Sequence, residues 1–189
     1  MGVSDLMPEL VVPLLHGRLG RPYRFLPECP STQREIGDEE AEGTTVAADH
    51  QTEGRGRLGR VWQDTPGRAL LFSVMLRPPV EMARWPELSL VAGAAVAEAL
   101  GAGAEVSHPN DVMIDGRKVA GVLPEATAGR VVLGIGVNVN QPEDELPRDA
   151  VKPPTSLRVE LGRELERAPL LAAILAELER RYDEWSGVS

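Results

Sequence analysis

Apolar residues in this chain follow two spacings, and the alternation between them sketches the elements. Thr44 to Ala48 reads as a short strand, and Ala69 to Leu76, an apolar run between a Pro-Gly turn and Pro78, predicts a buried one. Pro86 to Leu100 is apolar nearly all round and is followed by Gly101 at the expected C′ position, which predicts a buried helix. Val112-Met113-Ile114, then Asp115-Gly116, then Lys118 to Leu123 predicts a hairpin on a favoured tight-turn pair. Arg130 to Val139 predicts a further strand, in which Gly134 and Gly136 would admit a ligand close to the backbone. Leu171, Ile174, Leu175, Leu178, Tyr182 and Trp185 recur at helical spacing after Pro169, predicting a last helix. Thr32-Gln33-Arg34-Glu35 has the form of a capping box, so a first helix is expected over Ser31 to Ala41, stopped by Gly43. Gln141 to Pro154 holds four prolines and mixed charge and reads as a long loop. Pro124, before Glu125 in what should be a strand, would suit only an edge or a bulge. The order of elements gives an α+β fold, a mixed sheet flanked by helices, with residues 1–22 as an N-terminal arm and 23–189 as one domain.

Composition narrows the class. The 189 residues, 42% of them hydrophobic, suit one domain with its own core. The single cysteine, Cys29, excludes an internal disulfide framework and fits a reducing compartment. No signal-peptide pattern opens the chain, and no run approaches the roughly 18 apolar residues of a spanning segment, so a cytoplasmic protein without membrane contact is expected. A net charge of −9 argues against a nucleic-acid partner. His16, His50, His108 and Cys29 show no zinc spacing.

Against that acidic background stands Gly54-Arg55-Gly56-Arg57-Leu58-Gly59-Arg60. Glycines let the backbone approach a ligand and guanidinium groups clamp carboxylate or phosphate, so the loop reads as an anion site. The same residues satisfy G-x-G-x-x-G, but that fingerprint must open a helix, and here the chain continues through a Pro-Gly turn into a strand.

Four elements in order carry a resemblance: Ser31-Thr32, then Gln51 to Arg60, then Pro109-Asn110-Asp111 with Arg117-Lys118-Val119-Ala120-Gly121, then Gly134 to Asn138. Together they resemble the catalytic domain of bacterial biotin protein ligases, from about residue 28 to 186 and including Pro154-Thr155-Ser156-Leu157. The arginine loop is similar to biotin ligases and dissimilar to lipoate ligases of the same fold. The resemblance implies the class II aminoacyl-tRNA synthetase-like fold. It also implies activation of biotin by ATP to biotinyl-5′-AMP, then transfer to a lysine of a biotin carboxyl carrier protein.

By that resemblance Arg57 and Lys118 polarise the biotin carboxyl and the α-phosphate, and Arg55 positions the loop or the phosphates. Ser31, Thr32 and Gln51 supply donors and acceptors for the ureido head, although Ser31 and Thr32 also suit helix capping, and Gly56 and Gly121 complete the biotin site. Trp62 packs on adenine or simply fills the core, and Asn110 and Asn138 complete the ATP site. Asp111 with Asn110 would hold Mg²⁺, unless Pro109-Asn110-Asp111 is only a turn. Two features depart from the family. Ser107-His108 stands where Lys-Trp is usual, which removes a cation expected near the ATP phosphates. The SH3-like C-terminal domain and the N-terminal DNA-binding domain of repressor-type members are not expected within these 189 residues. A weakly catalytic or non-catalytic biotin-binding paralogue and a lipoate or other acyl ligase are the alternative readings.

Overall fold

The computed structural model describes residues 4–127, 129–148 and 150–188. Its strands are β1 (Tyr23–Leu26), β2 (Thr45–Ala48), β3 (Ala69–Leu76), β4 (Glu105–Ser107), β5 (Asp111–Ile114), β6 (Arg117–Thr127) and β7 (Arg130–Asn138). They form one mixed sheet in the order β1-β2-β3-β7-β6-β5-β4, with β1 and β2 parallel and the other neighbours antiparallel. The helices are α1 (Pro8–Val11), α2 (Leu88–Leu100), α3 (Leu157–Leu161) and α4 (Arg167–Ser186). Among the described residues no helix is long and apolar enough to cross a membrane.

Side chains alternate across the central strands, and this separates a core face from a site face. Leu70, Phe72, Val74 and Leu76 of β3 and Val131, Leu133, Ile135 and Val137 of β7 join Ala92 and Val96 of α2 and Leu171, Ile174 and Leu178 of α4 in the main core. Ser73 lies between them on the other face, opposite Gly134 in the β3–β7 register, followed along β7 by Gly136 and Asn138. Helix α2 is apolar all round because it lies between the sheet and α4. It ends as expected, the Gly101 N–H donating to Ala97 O at 3.1 Å.

The helix expected over Ser31 to Ala41 does not form; Thr32 to Glu35 make turns instead. The Thr32 hydroxyl that would cap the helix is used elsewhere, as is the neighbouring Gln33 side chain, so tertiary hydrogen bonds win over the local ones. Thr32 bonds Gln51 and Ser73, while Gln33 Nε2 donates to the carbonyls of Leu123 (3.0 Å) and Val132 (3.2 Å). The last helix begins at Arg167, two residues earlier than expected, and leaves Pro169 in the first turn, where no amide is required. Pro124 pairs with Leu133 of β7 beyond the end of the β5 register at Gly121, a local edge of the kind its missing N–H demands.

The N-terminal residues place Leu6, Val11, Leu15 and Leu19 in the main core. Buried Arg167 fastens them: its guanidinium meets Asp5 at 2.6 Å and Asp49 at 2.9 Å and donates to Ala69 O at 3.0 Å. The long loop of residues 141–154 is tied to β6 at Lys118, whose N–H donates to Pro153 O (2.7 Å) and whose carbonyl accepts from Thr155 N (2.8 Å).

Candidate active site

A cavity of about 450 Å³ opens on the site face, between the arginine loop, strands β5 to β7 and the end of the 141–154 loop. Every site residue expected from the sequence lines it, Ser31, Thr32 and Gln51 at one side and Asn110, Asp111, Lys118 and Asn138 at another.

One end is polar and neutral. Gln51 Oε1 accepts from the Thr32 N–H at 2.7 Å and from its hydroxyl at 3.1 Å, and Thr32 Oγ1 lies 2.7 Å from Ser73 Oγ. Gln51 is itself set by Asp64, whose carboxylate accepts its N–H at 3.3 Å and also meets His50 Nδ1 at 2.8 Å. Burial pushes the Asp64 carboxyl above its usual range, opposed by the His50 bond. Sequence reasoning missed Ser73 and Gln33. Ser73 carried a signal, a lone hydroxyl inside an apolar strand, which calls for a buried partner.

The floor is built for an aromatic ring. Gly121 and Gly136 are cross-strand partners, and Trp62 lies on both: a Cβ at Gly136 would fall 2.7 Å from Trp62 Cε2, and one at Gly121 would fall 3.1 Å from Cζ3. The close approach expected at Gly134 and Gly136 is therefore taken by Gln33 and Trp62 side chains. Lys118 Nζ stands 5.6 Å from the indole centroid as a cation–π contact. The Trp62 N–H is buried without a partner among the described residues, a donor that a ligand would satisfy.

The other end is charged. Asp111, buried on β5, has Lys118 Nζ 2.7 Å from Oδ1 and Lys152 Nζ 2.7 Å from Oδ2. Burial alone would raise the Asp111 carboxyl, but the two ammonium groups together outweigh it and hold it below the usual carboxylate value. Asn110 Nδ2 donates to Val122 O (2.8 Å), and Asn138 Nδ2 donates to Thr155 O (3.0 Å). This arrangement does not fit the Mg²⁺ role expected for Asp111 and Asn110, because two fixed ammonium groups occupy the carboxylate and would repel a dication. Among the described residues there is no cluster of three His, Cys, Asp or Glu side chains to hold a metal.

The arginine loop closes on itself through Gly56 N to Arg60 O (2.8 Å) and Trp62 N to Gly54 O (3.0 Å), so it forms a hairpin-like flap with one 3-10 turn at Arg57–Gly59 and leads into strand β3, opening no α-helix. Arg57 is exposed at the cavity mouth. Arg55 is ion-paired with Glu125 of β6.

The biotin/lipoate A/B protein ligase family model matches residues 30–141, the stretch that contains every expected site residue. The chain belongs to this family. Among its relatives, the bifunctional ligase/repressor BirA of Bacillus spizizenii is 38% identical over 164 residues, covering 82% of this chain and 50% of that protein. The biotin–[acetyl-CoA-carboxylase] ligase of Mycobacterium tuberculosis is 39% identical over 153 residues, covering 76% of this chain and 56% of its own length. The chain thus spans about half the length of the curated relatives it matches. The biotin protein ligase of Aquifex aeolicus in complex with biotin and ATP superposes with a TM-score of 0.79 at 34% identity, over 88% of this chain and 72% of that one. Membership of the family accounts for the fold expected from the sequence, a mixed sheet with flanking helices of the biotin protein ligase type.

Proposed function

We propose that this protein activates biotin with ATP to biotinyl-5′-AMP and transfers the biotinyl group to a lysine of a biotin carboxyl carrier protein, in the cytoplasm. The observation that carries the reading is one cavity with a neutral polar end at Ser31, Thr32 and Gln51, backed by Ser73 behind Thr32, and cations at Lys118 and Arg57. A neutral ureido group needs paired donors and acceptors once buried, and a carboxylate meeting a phosphate needs cations. At about 4 Å two unit charges repel by roughly 4 kcal/mol at an effective dielectric of about 20.

In the first step the biotin carboxylate oxygen bonds to the α-phosphorus of ATP and pyrophosphate leaves. Lys118 and Arg57 neutralise the approach, Trp62 seats the adenine, and Asn110 and Asn138 meet the nucleotide. In the second step the carrier lysine amine attacks the acyl carbonyl and AMP leaves. No enzyme nucleophile is needed, and catalysis rests on positioning and fixed charge. The polar end favours biotin over lipoate, whose dithiolane ring offers nothing to match Ser31, Thr32 and Gln51. The test is pyrophosphate release with ATP and biotin, with calorimetry against biotin, lipoate and octanoate. Heat with lipoate alone, or neither heat nor pyrophosphate with biotin, would overturn the reading.

A further inference from the structure

Asp111 holds two lysines where Mg²⁺ was expected from the sequence. Lys118 takes Oδ1 and Lys152 takes Oδ2, each at 2.7 Å. Lys152 lies beyond the 30–141 stretch matched by the family model and comes from the proline-rich loop of residues 141–154. Its placement is nonetheless fixed. The next residue, Pro153, accepts the Lys118 N–H at 2.7 Å, and Thr155 donates to the Lys118 carbonyl at 2.8 Å, so the loop's end is bound to the backbone of the other lysine. Nζ also donates to Ser107 Oγ at 3.2 Å, beside the short side chain at the end of edge strand β4.

The charge balance gives this arrangement a purpose. One carboxylate cannot neutralise two ammonium groups, so the cluster keeps a surplus positive charge inside a protein whose net charge is −9. Both lysines line the cavity and each remains about one-third exposed, at 29% and 34%. Lys118 sits inward, over the Trp62 ring, whereas Lys152 sits outward, toward β4. An ammonium has three donors, and Asp111 and Ser107 engage two of those on Lys152.

We propose that Lys152 is a nucleotide-binding residue that contacts the polyphosphate of ATP outward of the α-phosphate, with Asp111 holding it in place beforehand. This rests on the biotin-activating reading above. A lysine confined to a salt bridge would affect stability alone; a phosphate contact affects ATP and spares biotin.

The experiment compares wild type with Lys152→Met, Lys152→Arg and the double variant Ser107→Lys/Lys152→Met, reading pyrophosphate release against ATP concentration and biotin affinity by calorimetry. In Lys152→Met the KM for ATP should rise about ten- to a hundredfold, the loss of one charge-assisted hydrogen bond, with kcat less affected and biotin affinity unchanged. Lys152→Arg should restore much of it. So should the double variant, because a lysine at 107 starts beside the present ammonium. An unchanged KM for ATP in Lys152→Met, or equal losses for ATP and biotin, would overturn the inference while wild-type activity upheld the reading beneath it. A wild-type protein that releases no pyrophosphate would overturn both.

Discussion

Gly121 of β6 stands directly opposite Gly136 of β7, and the indole of Trp62 fills the space that two side chains would take. Neither glycine has a positive φ, so their role is room and not backbone freedom. Gly136→Ala would put a Cβ 2.7 Å from the ring and displace it, at a cost of about 1–3 kcal/mol in stability for overpacking. Gly121→Ala, with 3.1 Å to spare, should cost less. Thermal unfolding of both, with ATP binding measured alongside, checks the ranking; a Gly136→Ala protein of wild-type stability and ATP affinity would show that the ring's seat does not matter.

Asp111 gives a pH signature. Its folded carboxyl lies below the ordinary value, so its ion pairs add stability above the unfolded carboxyl pKa of about 3.9 and lose it as pH falls through the lower folded value. Asp111→Asn should therefore be less stable than wild type at pH 7 by roughly 1.5–3 kcal/mol. The two proteins should converge in acid, below about pH 4. Urea titrations at a series of pH values decide it. A difference that persists undiminished at low pH would assign the loss to packing and not to charge.

How much of this was legible in the chain depends on distance along it. The Asp115-Gly116 hairpin and the helix ending at Gly101 were readable because their determinants are local turn and cap residues. The helix expected after Ser31 failed because the side chains of Thr32, its expected cap, and Gln33 bond partners about 20 to 100 residues away, which no local pattern reveals. The arginine loop and Pro109-Asn110-Asp111 were visible as dense motifs. Ser73, Gln33 and Lys152 were not, because the meaning of each comes from what the sheet register and the loop tie bring beside it.

Arg167 is the buried charge that ties Ser4 and Asp5 to the start of α4. It is buried to 4% exposure with Asp5 and Asp49 both on its guanidinium. Removing one partner of a buried cluster leaves uncompensated charge and costs about 3–5 kcal/mol. Arg167→Met should lower stability by that order and release residues 4–20 to proteolysis. Lys at the same place should not rescue it, because one ammonium cannot reproduce the bonds to Asp5, Asp49, Ser4 and Ala69 O. Limited proteolysis with denaturant unfolding measures both effects, and an Arg167→Met protein with a protected N-terminus would refute the tie.

Arg55 and Arg57, two of the loop's three arginines, should fail in different ways. Arg57 lines the cavity mouth, and as a charge-stabilising donor its loss in Arg57→Ala should slow adenylation about 10²- to 10³-fold with little change in stability; Lys118→Ala should slow it as much and also lower stability, because it leaves Asp111 with Lys152 alone. Arg55 is half committed elsewhere: its pair with Glu125 fastens the arginine loop to β6 across a partly exposed surface, 38% and 32% exposed, where such pairs add no more than about 1 kcal/mol to folding. If Arg55 acts by holding the loop in place, Glu125→Gln should reproduce the defect of Arg55→Ala in adenylation, and the double variant should be no worse than either single one. If instead the Arg55 guanidinium leaves Glu125 to meet phosphate, freeing it should help, and Glu125→Gln should bind ATP at least as tightly as wild type. Single-turnover adenylate formation across the four proteins of this cycle separates the two. The ion pair in the structure favours the first outcome, and a Glu125→Gln protein with full activity would sink it.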